Sequence, residues 1–211
     1  LKSPHLDQGY PGNITFEVRL TLKGAALTWE MTGIPDRETP INLAQHVYFN
    51  LDASRNILSH QIKLAASSIT PTDVAFIPTG EIAQIAKTRF DFLTPRTIKA
   101  ADPKGLGYDV NYALDPTDSP NAIVNASNGL MLRLWTDRPG LQLYTAQHLS
   151  PFGTANSCVN HHPYSGFCLE AQDFPNAINQ PGFGTILYTP DRPYYQRTTI
   201  EISKNSAKNI L

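Results

Sequence analysis

The 211-residue sequence reads as an all-β chain folding into a large antiparallel β-sandwich. Its 17 prolines and 13 glycines are spread along the chain rather than gathered in one linker, and they cut it into many short segments. Several of these segments alternate apolar and polar residues, and no window sustains a helical period. Hydrophobic residues make up 41% of the chain, enough at this length to bury a core.

Taken in order, the elements follow from that alternation, because successive side chains of a strand point to opposite faces. In 14–22, Ile14, Phe16, Val18, Leu20 and Leu22 alternate with Thr15, Glu17, Arg19 and Thr21, which predicts a half-buried strand. In 46–51, His46, Tyr48 and Asn50 share one side, and Val47, Phe49 and Leu51 the other. Residues 80–87 read as a short turn or edge strand. In 108–112, Asp109 and Asn111 oppose Tyr108, Val110 and Tyr112. Residues 131–135 alternate in part and predict a second half-buried strand. In 141–144, Gln142 and Tyr144 oppose Leu141 and Leu143; in 167–172, Cys168, Glu170 and Gln172 oppose Phe167 and Leu169. Residues 204–211 are polar and are expected to fray, which leaves 1–203 as one domain.

Four of these segments thus carry one oily face and one face of hydrogen-bonding groups. Most antiparallel sheets have a solvated polar face, and pattern alone favours that reading. The residue types argue otherwise: His, Asp, Gln, Glu and Tyr stand where Lys, Thr and Ser are usual on wet surfaces. A concave sheet so lined suits a sugar, whose hydroxyls need many acceptors and whose ring faces pack on aromatics.

Composition excludes several other classes. The formal charge is −1 with Lys and Arg scattered, so no nucleic-acid stripe and no polybasic membrane patch is visible. No apolar run approaches the roughly 18 residues of a membrane helix. Cys158 and Cys168 form no metal-ligand spacing or redox pair and read as two buried free thiols, a disulfide being the alternative. The opening residues Leu1, Lys2, Ser3, Pro4 and His5 contain no signal segment. A cytoplasmic location is expected, with secretion the alternative because of the sequons at Asn13 and Asn125.

At the same segments the chain resembles the aldose 1-epimerases, from near its first residue to about Ser203. Gly9-Tyr10-Pro11-Gly12-Asn13 resembles the family's GYPG entry to a strand, and 42–51 its N-L-x-x-H-x-Y-[FW]-N-L signature. Pro78-Thr79-Gly80-Glu81-Ile82 with Phe90-Asp91-Phe92, then Gly107-Tyr108-Asp109-Val110-Asn111-Tyr112, follow in the family's order. Leu141-Gln142-Leu143-Tyr144-Thr145 and Phe167-Cys168-Leu169-Glu170-Ala171-Gln172 complete it, the latter with Phe174-Pro175-Asn176-Ala177-Ile178-Asn179. The wording is nearest the family's plant-like branch. The resemblance implies a galactose mutarotase-type sandwich, a free aldohexose as substrate, interconversion of its α and β anomers, and no metal or organic cofactor. It implies that Glu170 is the general base at the anomeric hydroxyl and His46 the general acid at the ring oxygen. Asp109 and Gln142 would hold sugar hydroxyls. A carboxylate and an imidazolium suit that proton exchange, with ordinary pKa values of roughly 4.3 and 6.5.

Some positions depart from the family. It carries a further N-terminal portion before the GYPG segment, which supplies an arginine, another histidine and several strands. Either a complementary N-terminal fragment of the same protein or a longer chain of which this sequence is a part is therefore expected to supply strands beside 14–22, covering what would otherwise be a bare edge. Val110, Asn176 and Ala146-Gln147 replace the family's usual histidine, aspartate and Gly-Asn, which bears on substrate preference more than on the reaction.

Two other groups read as structural. His148, His161 and His162 suggest a surface loop rather than a metal cluster, since adjacent extended residues point apart. Trp29 and Trp135 read as packing rather than sugar platforms. The competing functions are a non-catalytic carbohydrate-binding protein and a hexose-phosphate epimerase. The latter ranks last, because no basic cluster accompanies the motifs.

Overall fold

The computed structural model describes residues 1–149 and 162–204. Among them, fifteen strands form three sheets. The largest has eight strands, in spatial order β1 (Lys2–Ser3), β2 (Ile14–Lys23), β3 (Ala26–Pro35), β15 (Tyr194–Lys204), β11 (Leu130–Thr136), β10 (Ala122–Asn125), β5 (Gln61–Leu64) and β8 (Arg96–Thr97). The second has five: β13 (Cys168–Gln172), β12 (Gly140–Tyr144), β9 (Asp109–Ala113), β6 (Ser68–Thr70) and β7 (Ala83–Gln84). A two-stranded patch joins β14 (Leu187–Tyr188) to β4 (Thr39–Pro40). Every named pairing is antiparallel. The expected all-β class is what forms, and the edge strand expected within 80–87 is β7.

Alternation decides which faces meet. Trp29, Met31, Leu132, Leu134 and Ile200 of the large sheet share one buried cluster with Ile69, Tyr112, Leu141, Leu143, Leu169 and Ala171 of the small one. At about 25 cal/mol per Å² of apolar surface removed from water, this two-layer contact is the main term holding the sheets together. One polar tie crosses it: buried Gln196 on β15 donates through Nε2 to the carbonyl of Ala171 on β13 at 2.8 Å, and the Tyr194 hydroxyl donates to Gln196 Oε1 at 2.5 Å. Satisfying these groups together avoids the cost of orphaned buried polar atoms. Trp29 is part of this core, as expected, and the guanidinium of Arg133 lies over Trp135 at 6.0 Å.

Three sequence expectations need correction. The segment at 46–51 is not a strand; it makes one antiparallel bridge, Phe49 to Phe167. Within it the Phe49 N–H donates to the Phe167 carbonyl at 2.8 Å, while two others go to side chains: Val47 donates to Gln45 Oε1 at 2.9 Å and Leu51 to His60 Nε2 at 3.1 Å; just beyond it, Asp52 donates to Asn50 Oδ1. With no ladder to enforce alternation, Val47 is exposed. β2 is a strand but not half-buried, since Val18, Leu20 and Leu22 are 55%, 59% and 73% exposed. Among the described residues only two-residue β1 pairs with its outer edge, and of its apolar residues Ile14 alone is buried. Lys204 belongs to β15 rather than to the tail, paired with Leu130. Residues 205–211, Cys158 and His161 lie outside the described residues.

Candidate active site

The polar face of the small sheet is set by register. Asn111, Gln142 and Glu170 lie in one row across β9, β12 and β13, and Asp109, Tyr144 and Cys168 in the next. The core-facing neighbours Leu141, Leu143, Leu169 and Ala171 are buried, which fixes the opposite parity and turns this row outward. Gly140 leaves the end of the face open, because a Cβ there would come within 2.7 Å of Asn111 Oδ1.

Asp109 is aimed by the loop before it. Gly107 adopts φ 73°, and a Cβ there would run into the Gln147 side chain at 2.4 Å, so glycine is required. Its N–H donates to Asp102 Oδ2 at 2.6 Å, and Asp102 pairs with Arg89 at 3.2 Å. His46 has no strand to hold it and is held through its neighbour. Gln45 is buried and donates through Nε2 to the carbonyl of Leu169 on β13 at 2.5 Å, which pins the segment against the edge of the small sheet.

The result is an open cleft of about 450 Å³ lined by His46, Tyr48, Asp109, Gln142, Tyr144, Glu170, Gln172 and Pro175. That lies within the roughly 300–1,000 Å³ usual for small-molecule sites. All four residues singled out in the sequence stand in it. Gln142 donates to Asp109 Oδ1 at 2.7 Å, and Gln172 donates to Asn111 Oδ1 at 3.2 Å. His46 Nε2 lies 3.6 Å from Glu170 Oε1, and its Nδ1 lies 3.4 Å from Cys168 Sγ. The His46 and Tyr48 rings stack tilted at 5.1 Å, with Tyr144 edge-on to both.

Burial shapes the charges. The Glu170 side chain is 13% exposed; desolvation raises its pKa, the His46 charge opposes this and the Asp109 carboxylate adds to it. Burial pushes the Cys168 thiol up to about 12, aided by Glu170 and Asp109, and raises Tyr48 and Tyr144 as well. His46, Cys168 and Glu170 are the one group of three potential metal ligands among the described residues, with donor atoms within 4.8 Å of one another. The fit to a cation is poor: Nδ1 faces the thiol and Nε2 the carboxylate, so binding would have to turn the ring and strip a tightly held thiol proton.

The family model for aldose 1-epimerase matches residues 1–201. The chain belongs to the aldose 1-epimerase family. Among relatives, it is 34% identical over 208 residues to a galactose mutarotase of Bos taurus, covering 95% of this chain and 61% of that protein. It is 32% identical over 206 residues to an aldose 1-epimerase of Haemophilus influenzae, covering 91% of this chain and 60% of that one. The chain thus spans about three-fifths of the length of these family members. Its fold matches a galactose 1-epimerase from Lactobacillus acidophilus at TM-score 0.86 and 26% identity, over 98% of this chain and 62% of that one. It also matches an aldose epimerase homologue from C. elegans at TM-score 0.90 and 23% identity, over 98% and 65%.

Within this family fold, Pro175 is the lining residue that sequence reasoning missed, since it follows β13 in a turn with no periodicity to place it. Strand parity had put Tyr144 and Gln172 on the polar face without giving them a role. Tyr48 had been placed there as part of a strand that does not form.

Proposed function

We propose that the protein is an aldose 1-epimerase acting on free aldohexoses, with Glu170 and His46 as its proton carriers. The observation that carries this reading is the 3.6 Å approach of His46 Nε2 to Glu170 Oε1 above the Asp109–Gln142 pair in one cleft. Ring opening of a hemiacetal needs a base at the C1 hydroxyl and an acid at the ring oxygen, and these two groups sit close enough to reach both atoms of one sugar. Glu170, as carboxylate, takes the C1 hydroxyl proton. The C1–O5 bond breaks as C1 becomes a carbonyl, and O5 takes a proton from His46 Nε2. Rotation about C1–C2 then presents the other carbonyl face. In closure, O5 attacks C1 and returns its proton to His46, while Glu170 returns its own to the C1 oxygen, leaving the enzyme unchanged. Asp109 and Gln142 hold hydroxyls remote from C1.

The exposed Val18, Leu20 and Leu22 of β2 support the reading that a further part of the same protein covers that face. Polarimetry of freshly dissolved α-D-galactose and α-D-glucose with the whole protein tests the reaction. Accelerated decay of optical rotation, lost in Glu170→Gln and in His46→Asn, is expected. Sugar binding without acceleration would instead identify a non-catalytic carbohydrate-binding protein.

A further inference from the structure

Cys168 stands two residues before Glu170 on β13 and so shares the cleft-facing parity, yet it is fully buried and does not line the cleft. Its position is taken up by the ring of His46, whose Nδ1 lies 3.4 Å from Sγ, within the range of a sulfur hydrogen bond. Among the described residues this thiol is the one hydrogen-bond partner of the ring, and Glu170 faces the other nitrogen. The ring needs such a partner. Its side chain is 53% exposed, its segment is not a strand, and its neighbours Tyr48 and Tyr144 contact it only through ring faces and edges.

We propose that Cys168 is the positioning residue of His46, its thiol holding Nδ1 so that Nε2 is the atom presented to Glu170 and the sugar. The inference rests on the reading of His46 as the proton carrier. The chemistry of a thiol suits this place. Burial keeps it protonated, and a neutral S–H is both a weak donor and a weak acceptor. With His46 acting as an imidazolium, Nδ1 keeps its proton before and after Nε2 gives up its own, and the sulfur accepts from it in both states, so the ring keeps its orientation throughout the transfer. A carboxylate in the same place would stabilise the imidazolium and make Nε2 a poorer acid. A methyl group there would leave Nδ1 unpartnered and the ring free to turn away.

The test compares Cys168→Ala and Cys168→Ser in the whole protein, by polarimetry across pH and by ¹⁵N NMR of the His46 ring. In Cys168→Ala, kcat is expected to fall roughly ten- to hundredfold, the cost of a misplaced reacting group, while KM moves less than about threefold. The His46 ring resonances and the pH profile of kcat should shift with it. Cys168→Ser, which keeps a donor and acceptor, should recover much of the loss. Wild-type kcat and unchanged His46 resonances in Cys168→Ala would overturn the inference and leave Cys168 as packing. Should Cys168→Ala fail to fold, Cys168→Val, which fills the space on the strand without offering a polar atom, carries the test: wild-type kcat and unmoved His46 resonances there would equally overturn it. His46→Asn retaining full activity would instead overturn the role of His46, and the ring resonances in the Cys168 variants would still report on the contact.

Discussion

Gln142 donates through Nε2 to Asp109 Oδ1 at 2.7 Å across neighbouring strands, so the two side chains proposed to grip the sugar already grip each other. The bond orients both groups before a ligand arrives, which lowers the ordering cost of binding. A hydrogen bond to a charged group contributes about 1.5–3 kcal/mol when sheltered, and this one is exposed, so the lower end applies. Gln142→Ala should therefore raise KM by roughly an order of magnitude with little change in kcat, and Asp109→Ala should raise it further. Initial-rate polarimetry over a range of sugar concentrations separates the two parameters; an unchanged KM in both variants would remove them from the sugar site.

What could be read in advance depended on whether a ladder enforced the pattern. At Asp109, Gln142 and Glu170 the parity rule placed the polar side chains on one face, because the alternate residues Tyr112, Leu141, Leu143 and Leu169 are driven into the core. At His46 the face was right for another reason: no strand forms there, and Gln45 and Asn50 replace the ladder with side-chain bonds that leave no periodic trace. Cys168 and Pro175 show the same limit. Nothing in the spacing reveals that a thiol lies under one particular nitrogen, or that a turn proline closes a cleft wall.

Gln45 is then a test of how the segment is held. It is buried, and it spans from the Leu169 carbonyl to the Val47 amide. Gln45→Leu keeps the bulk but leaves both backbone groups without that partner, at a cost of about 1–3 kcal/mol each. Urea denaturation should show a stability loss of that order. Activity should fall as well, since the segment carrying His46 loses its attachment to β13. Loss of stability with full activity would mean that the bridge at Phe49 and Phe167 holds His46 unaided.

The raised thiol pKa of Cys168 makes a chemical prediction. With its pKa pushed up to about 12, essentially no thiolate is present at pH 8, and the sulfur is buried as well. Iodoacetamide at pH 8 should leave the Cys168 peptide unmodified in the folded protein and alkylate it readily in urea, as peptide mass mapping would show. Rapid alkylation of the folded protein would mean that the ring of His46 swings clear of the thiol.

The acid limb of the activity profile should report Glu170. Its carboxyl is raised above the ordinary glutamate value, first by burial and further by Asp109, with His46 opposing. A base must be ionised, so kcat/KM should fall as pH drops through a value above the ordinary carboxylate range. An acid limb at the ordinary carboxylate value of roughly 4.3, or below it, would assign the base to a better-solvated group.

The same burial makes Glu170 a cost to the fold. A carboxyl whose folded pKa is raised binds protons more tightly in the native state than in the unfolded one. Its favourable contribution is complete below the unfolded pKa and is lost as pH rises through the folded value. At pH 7 the native state therefore holds a partly desolvated carboxylate, 13% exposed and beside the Asp109 carboxyl. Glu170→Gln keeps the size of the side chain and removes the charge. It should raise the melting temperature at pH 7, and the difference should vanish at a pH low enough to protonate Glu170 in both states. General base assistance is worth about 10²–10⁴ in rate, so the same variant should lose at least a hundredfold in kcat while sugar affinity changes only a few-fold, because Asp109 and Gln142 remain. Calorimetric melts at the two pH values, beside polarimetry, check both halves. A variant less stable at pH 7 would show that the ion pair with His46 outweighs desolvation. A variant keeping a tenth of the wild-type kcat would show that the anomeric proton leaves by another route.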